Sequence, residues 1–144
     1  MQIIVCGAGK SGSSIAEKLS KLGNEVTIID SSSELVKKLT NKLDIRGVVG
    51  HGAHPDILER AGARDADMMI AITSSDEINM LACQIAHSIF EVPKRIARLR
   101  ANEYLRDEDN FNKSFFSISE IISPNILLTD YVKNILDHPG AFQA

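Results

Sequence analysis

Residues 3–19 have the sequence IIVCGAGKSGSSIAEKL, in which an apolar run leads through three glycines into an amphipathic segment. The run predicts a buried strand, and the segment predicts a helix that begins at the glycines. The glycines are spaced G-x-G-x-x-G, as in a strand–turn–helix that binds a dinucleotide. Because Gly9-Lys10-Ser11 also matches the end of a P-loop, the stretch admits two phosphate-binding interpretations.

The P-loop interpretation fails on spacing. The motif G-x-x-x-x-G-K-[ST] needs a glycine five residues before Gly9, where the chain has Ile4 inside the predicted strand. The dinucleotide interpretation fits, because a strand precedes the glycines and a helix follows them. Gly7 permits a tight turn, Gly9 permits close approach of a pyrophosphate, and Gly12 permits close packing of the helix on the strand.

A dinucleotide site also needs an acidic residue about 20 positions further on, where it binds the ribose hydroxyls. Asp30 follows Gly12 by eighteen residues and ends the apolar stretch VTIID. Lys10 is expected to be a solvent-facing cation beside the phosphates. The alternative is that the glycines only form a turn and that Asp30 caps the next helix.

Short apolar runs alternate with amphipathic stretches along the rest of the chain. The runs are apolar at consecutive positions, which is typical of strands covered on both faces. This alternation predicts a Rossmann-like α/β fold, a doubly wound parallel sheet of six strands in the order 3-2-1-4-5-6, with residues 1–144 as one domain. The predicted strands are 2–6, 25–30, 45–49, 68–73, 95–100 and 114–118.

Capping signals place the helices. Ser31 and Glu34 form a predicted capping box for the second helix, and Asp76 or Ser75 is expected to cap the fourth. The predicted helices are 11–22, 32–42, 55–62, 77–90, 102–107 and a sixth that begins after Ser123-Pro124.

Ligands of this fold lie across the carboxyl ends of the strands. His51 follows the third strand and is expected to meet the adenine edge. Thr73 and Ser74 follow the fourth strand and are expected to face the ribose or the pyrophosphate. His51 with His54 and Asp56 also forms a sparse metal-ligand set, but no fourth ligand is obvious, so we predict no metal site.

Two arginines follow in the fifth strand. Arg98 and Arg100 share one face by the two-residue period of a strand. A charged side chain on a central strand is costly unless it is paired, so at least one of them, with Arg98 preferred, is expected to meet an anion in the crevice. The alternative is an ion pair with Asp67 or Glu77.

Composition limits the class of protein. The chain is 44% hydrophobic and 24% charged, with a net charge of −3 and mixed signs, which is ordinary for a soluble protein and argues against a nucleic-acid partner. No apolar run approaches the roughly 20 residues that span a bilayer, and the start lacks a signal-peptide pattern. Two distant cysteines suit neither a disulfide framework nor a zinc site, so we expect a cytoplasmic, reduced chain.

The sequence lacks a recognisable catalyst. A short-chain dehydrogenase would have a lysine four residues after a tyrosine, but Glu108 follows Tyr104 at that distance and Ile135 follows Tyr131. We therefore predict a binding module that is not an enzyme. The alternatives are a fragment of a small NAD-dependent oxidoreductase and an assembly module with a vestigial site.

Residues 1–19, 26–30, 50–86 and 138–143 together resemble a known family, the KTN (RCK N-terminal) domain of bacterial Trk-system potassium uptake proteins of the TrkA type. The resemblance implies a cytoplasmic regulatory module at the inner face of the plasma membrane that binds NAD(H), or ATP, ADP or AMP in the same site. It implies a Trk-type membrane K⁺ transporter subunit as the partner. Carried over by position, the family's nucleotide site falls on Gly7, Ala8, Gly9, Lys10, Ser11, Asp30, Thr73, Ser74 and Arg98.

Two features depart from the family pattern. Gly52 stands where a residue with a methyl or hydroxyl group is common, and the chain stops near residue 144 where relatives usually continue into a second domain. We expect a fragment or a stand-alone module. The stripe of apolar residues within 126–136 is wider than one sheet face needs and predicts self-association as a dimer or a higher ring.

Overall fold

The computed structural model describes residues 1–106, 114–124 and 134. Its strands form one six-stranded sheet. They are β1 (Gln2–Cys6), β2 (Glu25–Asp30), β3 (Arg46–Val49), β4 (Met68–Ala71), β5 (Lys94–Arg98) and β6 (Glu120–Ile122). All pairs are parallel and the order is β3-β2-β1-β4-β5-β6, which confirms the predicted topology.

Helices connect successive strands. In the described residues they are α1 (Lys10–Lys21), α2 (Ser33–Lys42), α3 (Pro55–Arg60), α4 (Asp76–Ser88) and α5 (Asn102–Leu105), with a 3₁₀ turn at Ala63–Asp65. None of these helices combines the length and the apolar character needed to cross a bilayer. Apart from residues 124 and 134, the sixth predicted helix lies outside the described residues.

The sheet has a separate apolar core on each face. Ile3 and Val5 of β1 belong to one core, and Ile4 and Cys6 belong to the other. Successive side chains of a strand point to opposite faces, so both faces of β1 are covered. This explains why the run at the start of the chain is apolar at every position rather than at alternate ones.

The prediction of a sixth strand at residues 114–118 is wrong. The strand is Glu120–Ile122, and its pairing with β5 is preceded by a hydrogen bond from Ser119 N to Arg95 O at 2.7 Å. Ser117 has φ +56°, a left-handed conformation that interrupts an extended chain. Aromatic residues such as Phe115 favour strands, but this side chain is 69% exposed.

The predicted capping box of α2 is also wrong. Ser32 is the N-cap residue, and its Oγ accepts a hydrogen bond from Leu35 N at 3.2 Å. Asp30 Oδ1 accepts from Ser32 N at 2.8 Å and thereby holds the cap residue in place. The box assigned to Ser31 with Glu34 is therefore one residue too early.

The N-terminus of α4 is capped by the second of the two predicted candidates. Ser75 Oγ accepts from Ile78 N at 3.2 Å. The carboxylate of Asp76 is used elsewhere, because it accepts hydrogen bonds from the backbone N–H groups of Arg100 and Ala101 after β5. The start of α4 is thus joined to the exit of the neighbouring strand.

Candidate functional site

A cavity of about 470 Å³ lies at the carboxyl ends of β1 to β5. Its volume is within the range typical of small-molecule sites. Of the predicted site residues, Ala8 and Gly12 do not line it. The others do, and they are Gly7, Gly9, Lys10, Ser11, Asp30, His51, Thr73, Ser74 and Arg98.

The glycine loop, residues 7–12, forms part of the cavity wall and is closely packed. Gly7 has φ +115°, and a Cβ there would lie 2.6 Å from Ile72 O. A Cβ on Gly12 would lie 1.7 Å from Gly7 O, which leaves no space for a side chain. These contacts confirm the turn role predicted for Gly7 and the packing role predicted for Gly12.

Gly9 differs from the other two glycines. A Cβ there would meet no atom of the described residues within 4 Å, and Gly9 lines the open cavity. It is the N-cap residue of α1, which has neither a side-chain cap nor an acidic residue in its first turn. The first-turn N–H groups and the positive end of the helix dipole therefore remain available to an anion.

Asp30 stands at the end of β2 with both carboxylate oxygens engaged. Oδ2 accepts from Ala8 N and Oδ1 accepts from Ser32 N, each at 2.8 Å. Ala8 therefore belongs to the site through its backbone, although it does not line the cavity. Each carboxylate oxygen has two lone pairs, so Asp30 retains acceptor capacity toward ligand hydroxyls while it holds the glycine loop.

His51 lies in the loop after β3 and lines the cavity. Its Nδ1 accepts from Ala53 N at 3.1 Å, so Nε2 carries the proton of the neutral ring and is a donor. The ring stacks on His54 at a centroid distance of 4.3 Å. In the part of the chain that the structure describes, no group of three or more His, Cys, Asp or Glu is placed to hold a metal ion.

Gly52 lines the cavity and packs closely against β1. A Cβ there would lie 3.2 Å from Cys6 Cβ and 3.3 Å from Cys6 Sγ, so the loop after β3 packs directly on β1.

Burial raises the pKa of the Cys6 thiol to about 12, and burial raises the pKa of Cys83 as well. Both thiols remain protonated at neutral pH and are poor nucleophiles.

Arg98 provides the cationic wall. Its Nη2 donates to Ile72 O at 3.2 Å and to Thr73 O at 2.9 Å. Its Nε is buried and has no hydrogen-bond partner among the described residues. Burial and the nearby charge of Arg100 lower the pKa of the Arg98 guanidinium from its ordinary value. An anion bound beside Arg98 would favour the charged form of the guanidinium and raise that pKa again.

The alternative ion pairs of Arg98 are not formed within the described residues. Asp67 Oδ2 accepts from Gln2 N at the amino end of β1, and the cavity lies at the opposite, carboxyl ends of the strands. The ion pairs observed in this part of the chain involve Glu17 and Glu59 instead. Arg100 also lines the cavity, so two guanidinium groups face the same space.

The sequence analysis missed Asn79. This side chain is 0% exposed and lies in α4 at the point where β4 and β5 end. Its Oδ1 accepts from Thr73 N at 2.9 Å and from Thr73 Oγ1 at 2.6 Å, and its Nδ2 donates to Arg98 O at 2.8 Å. The available signal was one polar residue in the buried helical stripe 79, 82, 83 and 86.

Comparison with protein families gives one matching description. Residues 3–124 match the model of the TrkA-N domain. The match covers the glycine loop, Asp30, Asn79 and Arg98, and it extends through all six strands.

Curated relatives cover nearly the whole chain. The Trk system potassium uptake protein TrkA of Azorhizobium caulinodans is 47% identical over 98% of the chain, and that of Halomonas elongata is 43% identical over 99%. In each case the chain spans 31% of the relative's length. The chain therefore corresponds to about a third of these relatives.

Solved structures share the fold at lower identity. The TrkA-N domain of inner membrane protein ybaL from Escherichia coli has a TM-score of 0.74 and 18% identity, with 94% of each chain covered. A Shewanella denitrificans Kef C-terminal domain in an AMP-bound form has a TM-score of 0.69 and 18% identity, covering 98% of this chain and 94% of that one. The GsuK channel bound to NAD has a TM-score of 0.69 and 16% identity, covering 84% of this chain and 21% of that one.

Proposed function

Because this chain belongs to the TrkA-N domain family, we propose that it is a nucleotide-binding regulatory module of a bacterial potassium uptake system. Its ligand is NAD(H), with ATP, ADP or AMP as alternative occupants of the same site. Its partner is a Trk-type K⁺-translocating membrane subunit, and it acts in the cytoplasm at the inner face of the membrane. The relatives' names support the partner, and the cavity supports the ligand.

The cavity between the glycine loop and Arg98 carries the proposal. The lining includes the uncapped start of α1 and Arg98, whose buried Nε has no hydrogen-bond partner among the described residues. Lys10 and Arg100 also line the cavity. Together with Arg98 they give the described lining three cationic side chains, and Asp30 contributes a carboxylate. A cavity with this charge distribution suits a ligand that has several phosphate charges and a few hydroxyl groups.

Parts of a nucleotide can be matched to the walls. A pyrophosphate fits beside Gly9, where the backbone is open and the helix dipole is favourable. Ribose hydroxyls fit beside Asp30, whose carboxylate retains free lone pairs. The adenine edge fits between the Nε2–H donor of His51 and the apolar side chain of Leu35, which both line the cavity. The remaining phosphate fits beside Arg98.

The fold accommodates both ligand classes in related structures. The GsuK channel structure contains NAD and the Kef domain structure contains AMP, each in a protein under 20% identical to this chain. Those ligands belong to those proteins, and the similarity shows the fold alone. We propose that residues 1–144 form a single binding domain that supplies a ligand signal to its partner and catalyses no reaction.

Calorimetric titration with NADH, NAD⁺, ATP, ADP and AMP tests the proposal. We expect at least NADH or ATP to bind the folded protein at a single site. Arg98→Ala should weaken ATP more than AMP, because a charge-assisted hydrogen bond of about 1.5–3 kcal/mol is lost. Arg60→Ala is the matched control, because Arg60 is exposed and does not line the cavity.

Two outcomes would contradict the proposal. Failure of every nucleotide to bind the folded protein would indicate a vestigial site in an assembly module. Steady-state turnover with a hydride donor would indicate an oxidoreductase. Equal losses of ATP and AMP in Arg98→Ala would leave binding intact but place Arg98 in the framework of the protein rather than in ligand recognition.

A further inference from the structure

Asn79 joins three elements around the cavity. It lies in the first half of α4 and contacts the segment that follows β4 and the end of β5. Its Nδ2 donates to Thr73 O at 3.2 Å as well as to Arg98 O at 2.8 Å, and its Oδ1 accepts twice from Thr73. One side chain thus fixes the backbone of two residues that line the cavity.

The hydrogen bonds of Asn79 saturate its amide. A carboxamide has two donor hydrogens and two acceptor lone pairs, and all four are used. Because the side chain is 0% exposed, each lost bond would leave a buried polar group unsatisfied. The orientation of the amide is therefore fixed by its partners, and the positions of Thr73 and Arg98 are fixed relative to each other.

The guanidinium of Arg98 depends on the same connection. Its Nη2 donates to Thr73 O, which also accepts from Asn79 Nδ2. The backbone of Arg98 is held by Asn79, and its side chain is held by the carbonyl groups of Ile72 and Thr73. The direction of the unpartnered Nε therefore follows from the geometry that Asn79 imposes.

We propose that Asn79 is a positioning residue of the nucleotide site, which acts through Arg98 and Thr73 and touches no ligand atom. It is not among the residues that line the cavity. Its removal loosens the connection between the ends of β4 and β5 and the hold on the Arg98 side chain, which weakens the contact of Arg98 with a bound phosphate. The inference rests on the proposed function and adds a residue that determines how strongly the site prefers ligands rich in phosphate.

A purely structural role predicts a different result. If Asn79 only stabilises the core, its replacement lowers the unfolding temperature and leaves the ratio of ATP affinity to AMP affinity unchanged. If it positions Arg98, the ratio falls as it does in Arg98→Ala. The affinity ratio therefore separates the two roles, whereas stability alone does not.

The experiment compares Asn79→Ala, Arg98→Ala and the double variant by calorimetry with ATP and AMP. We expect Asn79→Ala to weaken ATP about tenfold and AMP less than about threefold, in line with a weakened charge-assisted contact. The double variant should lose no more ATP affinity than Arg98→Ala alone, because both changes disable the same contact. Gln84→Ala is the control, since Gln84 is a half-buried amide on the same helix that bonds to Ser88.

A second variant guards against a failure to fold. Asn79→Ser removes the donors to Arg98 O and Thr73 O without adding a charge to the buried position, so its affinity ratio should also fall. In the unmodified protein, the side-chain amide resonances of Asn79 should exchange slowly with solvent and should shift more with ATP than with AMP. Absence of that difference would overturn the inference even if neither variant folds.

The outcomes distinguish this inference from the function on which it rests. If the unmodified protein binds no nucleotide, the proposed function fails and the inference fails with it. If Arg98→Ala lowers the affinity ratio but Asn79→Ala leaves it unchanged, or if the two losses add fully, Asn79 is structural and the proposed function stands.

Discussion

At the scale of single residues, Gly9 and Gly12 lie one helical turn apart but have opposite surroundings. We expect Gly12→Ala to lower the free energy of unfolding by about 3 kcal/mol, because its Cβ would meet Gly7 O at 1.7 Å. Gly9→Ala should cost no more than about 1 kcal/mol, the difference between glycine and alanine at an N-cap. It should nevertheless weaken NADH about tenfold or more by blocking the approach of the pyrophosphate.

Urea denaturation and calorimetry on the same two variants check this pair. Gly9→Ala adds a methyl group to the cavity and leaves the packing intact, so it tests ligand approach. Gly12→Ala adds a methyl group away from the cavity lining, so it tests the packing of the loop. Full NADH affinity in Gly9→Ala would show that the pyrophosphate does not approach that part of the backbone.

Asp30 should make the site prefer NADH over NADPH. A carboxylate beside the ribose repels a 2′-phosphate, and we expect a difference on the order of 1–3 kcal/mol. Asp30→Ala should narrow that difference. It should also weaken both dinucleotides, because the bonds to Ala8 N and Ser32 N are lost. Parallel titrations measure the difference, and tighter binding of NADPH by the unmodified protein would refute the assignment.

The site residues differ in how far the sequence could predict them. The packing of Gly7 and Gly12 follows from their spacing between a strand and a helix, because backbone sterics leave few alternatives. Asn79 could not be assigned, since its role depends on contacts with two segments, six and nineteen residues away, that only the folded sheet brings together. A lone polar residue in an apolar stripe gives no indication of its partners.

At the scale of elements, the start of α2 offers a direct test of the corrected cap. Ser32→Ala should lower the free energy of unfolding by about 1 kcal/mol, because the hydrogen bond from Leu35 N loses its acceptor. Ser31→Ala is the matched control, because Ser31 is exposed and does not cap the helix. Thermal or urea unfolding measures both, and an equal effect of the two substitutions would contradict the observed cap.

Element order was predictable, whereas the position of β6 was not. The alternation of apolar runs with capped helices determines a parallel sheet, because right-handed crossovers permit few arrangements. The last strand is three residues long and contains Glu120, so it has little of the apolar pattern that marks the central strands. The nearby phenylalanines have a strand propensity as strong as that of Ile121 and Ile122, so propensity does not indicate which of the two segments pairs with β5.

At the scale of the whole molecule, we expect the protein to self-associate. Of residues 126–136, which carry the predicted apolar stripe, the structure describes only residue 134, so the interface stays a prediction. Within the described ranges, Leu81, Ile89 and Phe115 are exposed apolar side chains. Exposed apolar side chains of this kind are typical of a surface that a second copy of the chain buries.

Sedimentation velocity at micromolar protein tests this expectation, with and without NADH and ATP. We expect a species larger than a monomer and a ligand-dependent change in its shape or population, because a ligand shifts an assembly only through different affinities for its states. Leu128→Glu should dissociate it, whereas Leu22→Glu, at an exposed position on α1's C-terminal cap, should not. A monomer under every condition would refute the interface.

The tight packing of Gly7 against Ile72 O, and of Gly12 against Gly7 O, has a consequence for signalling. A wall in which a single added methyl group has no room also has no room to rearrange when a ligand arrives. We therefore expect the Gly7–Gly12 loop and the Ile72 backbone that it packs on to keep one geometry in the free and the nucleotide-bound protein. A bound nucleotide should then act mainly through side chains of the cavity lining, such as Arg98, which donates to the carbonyl groups of Ile72 and Thr73.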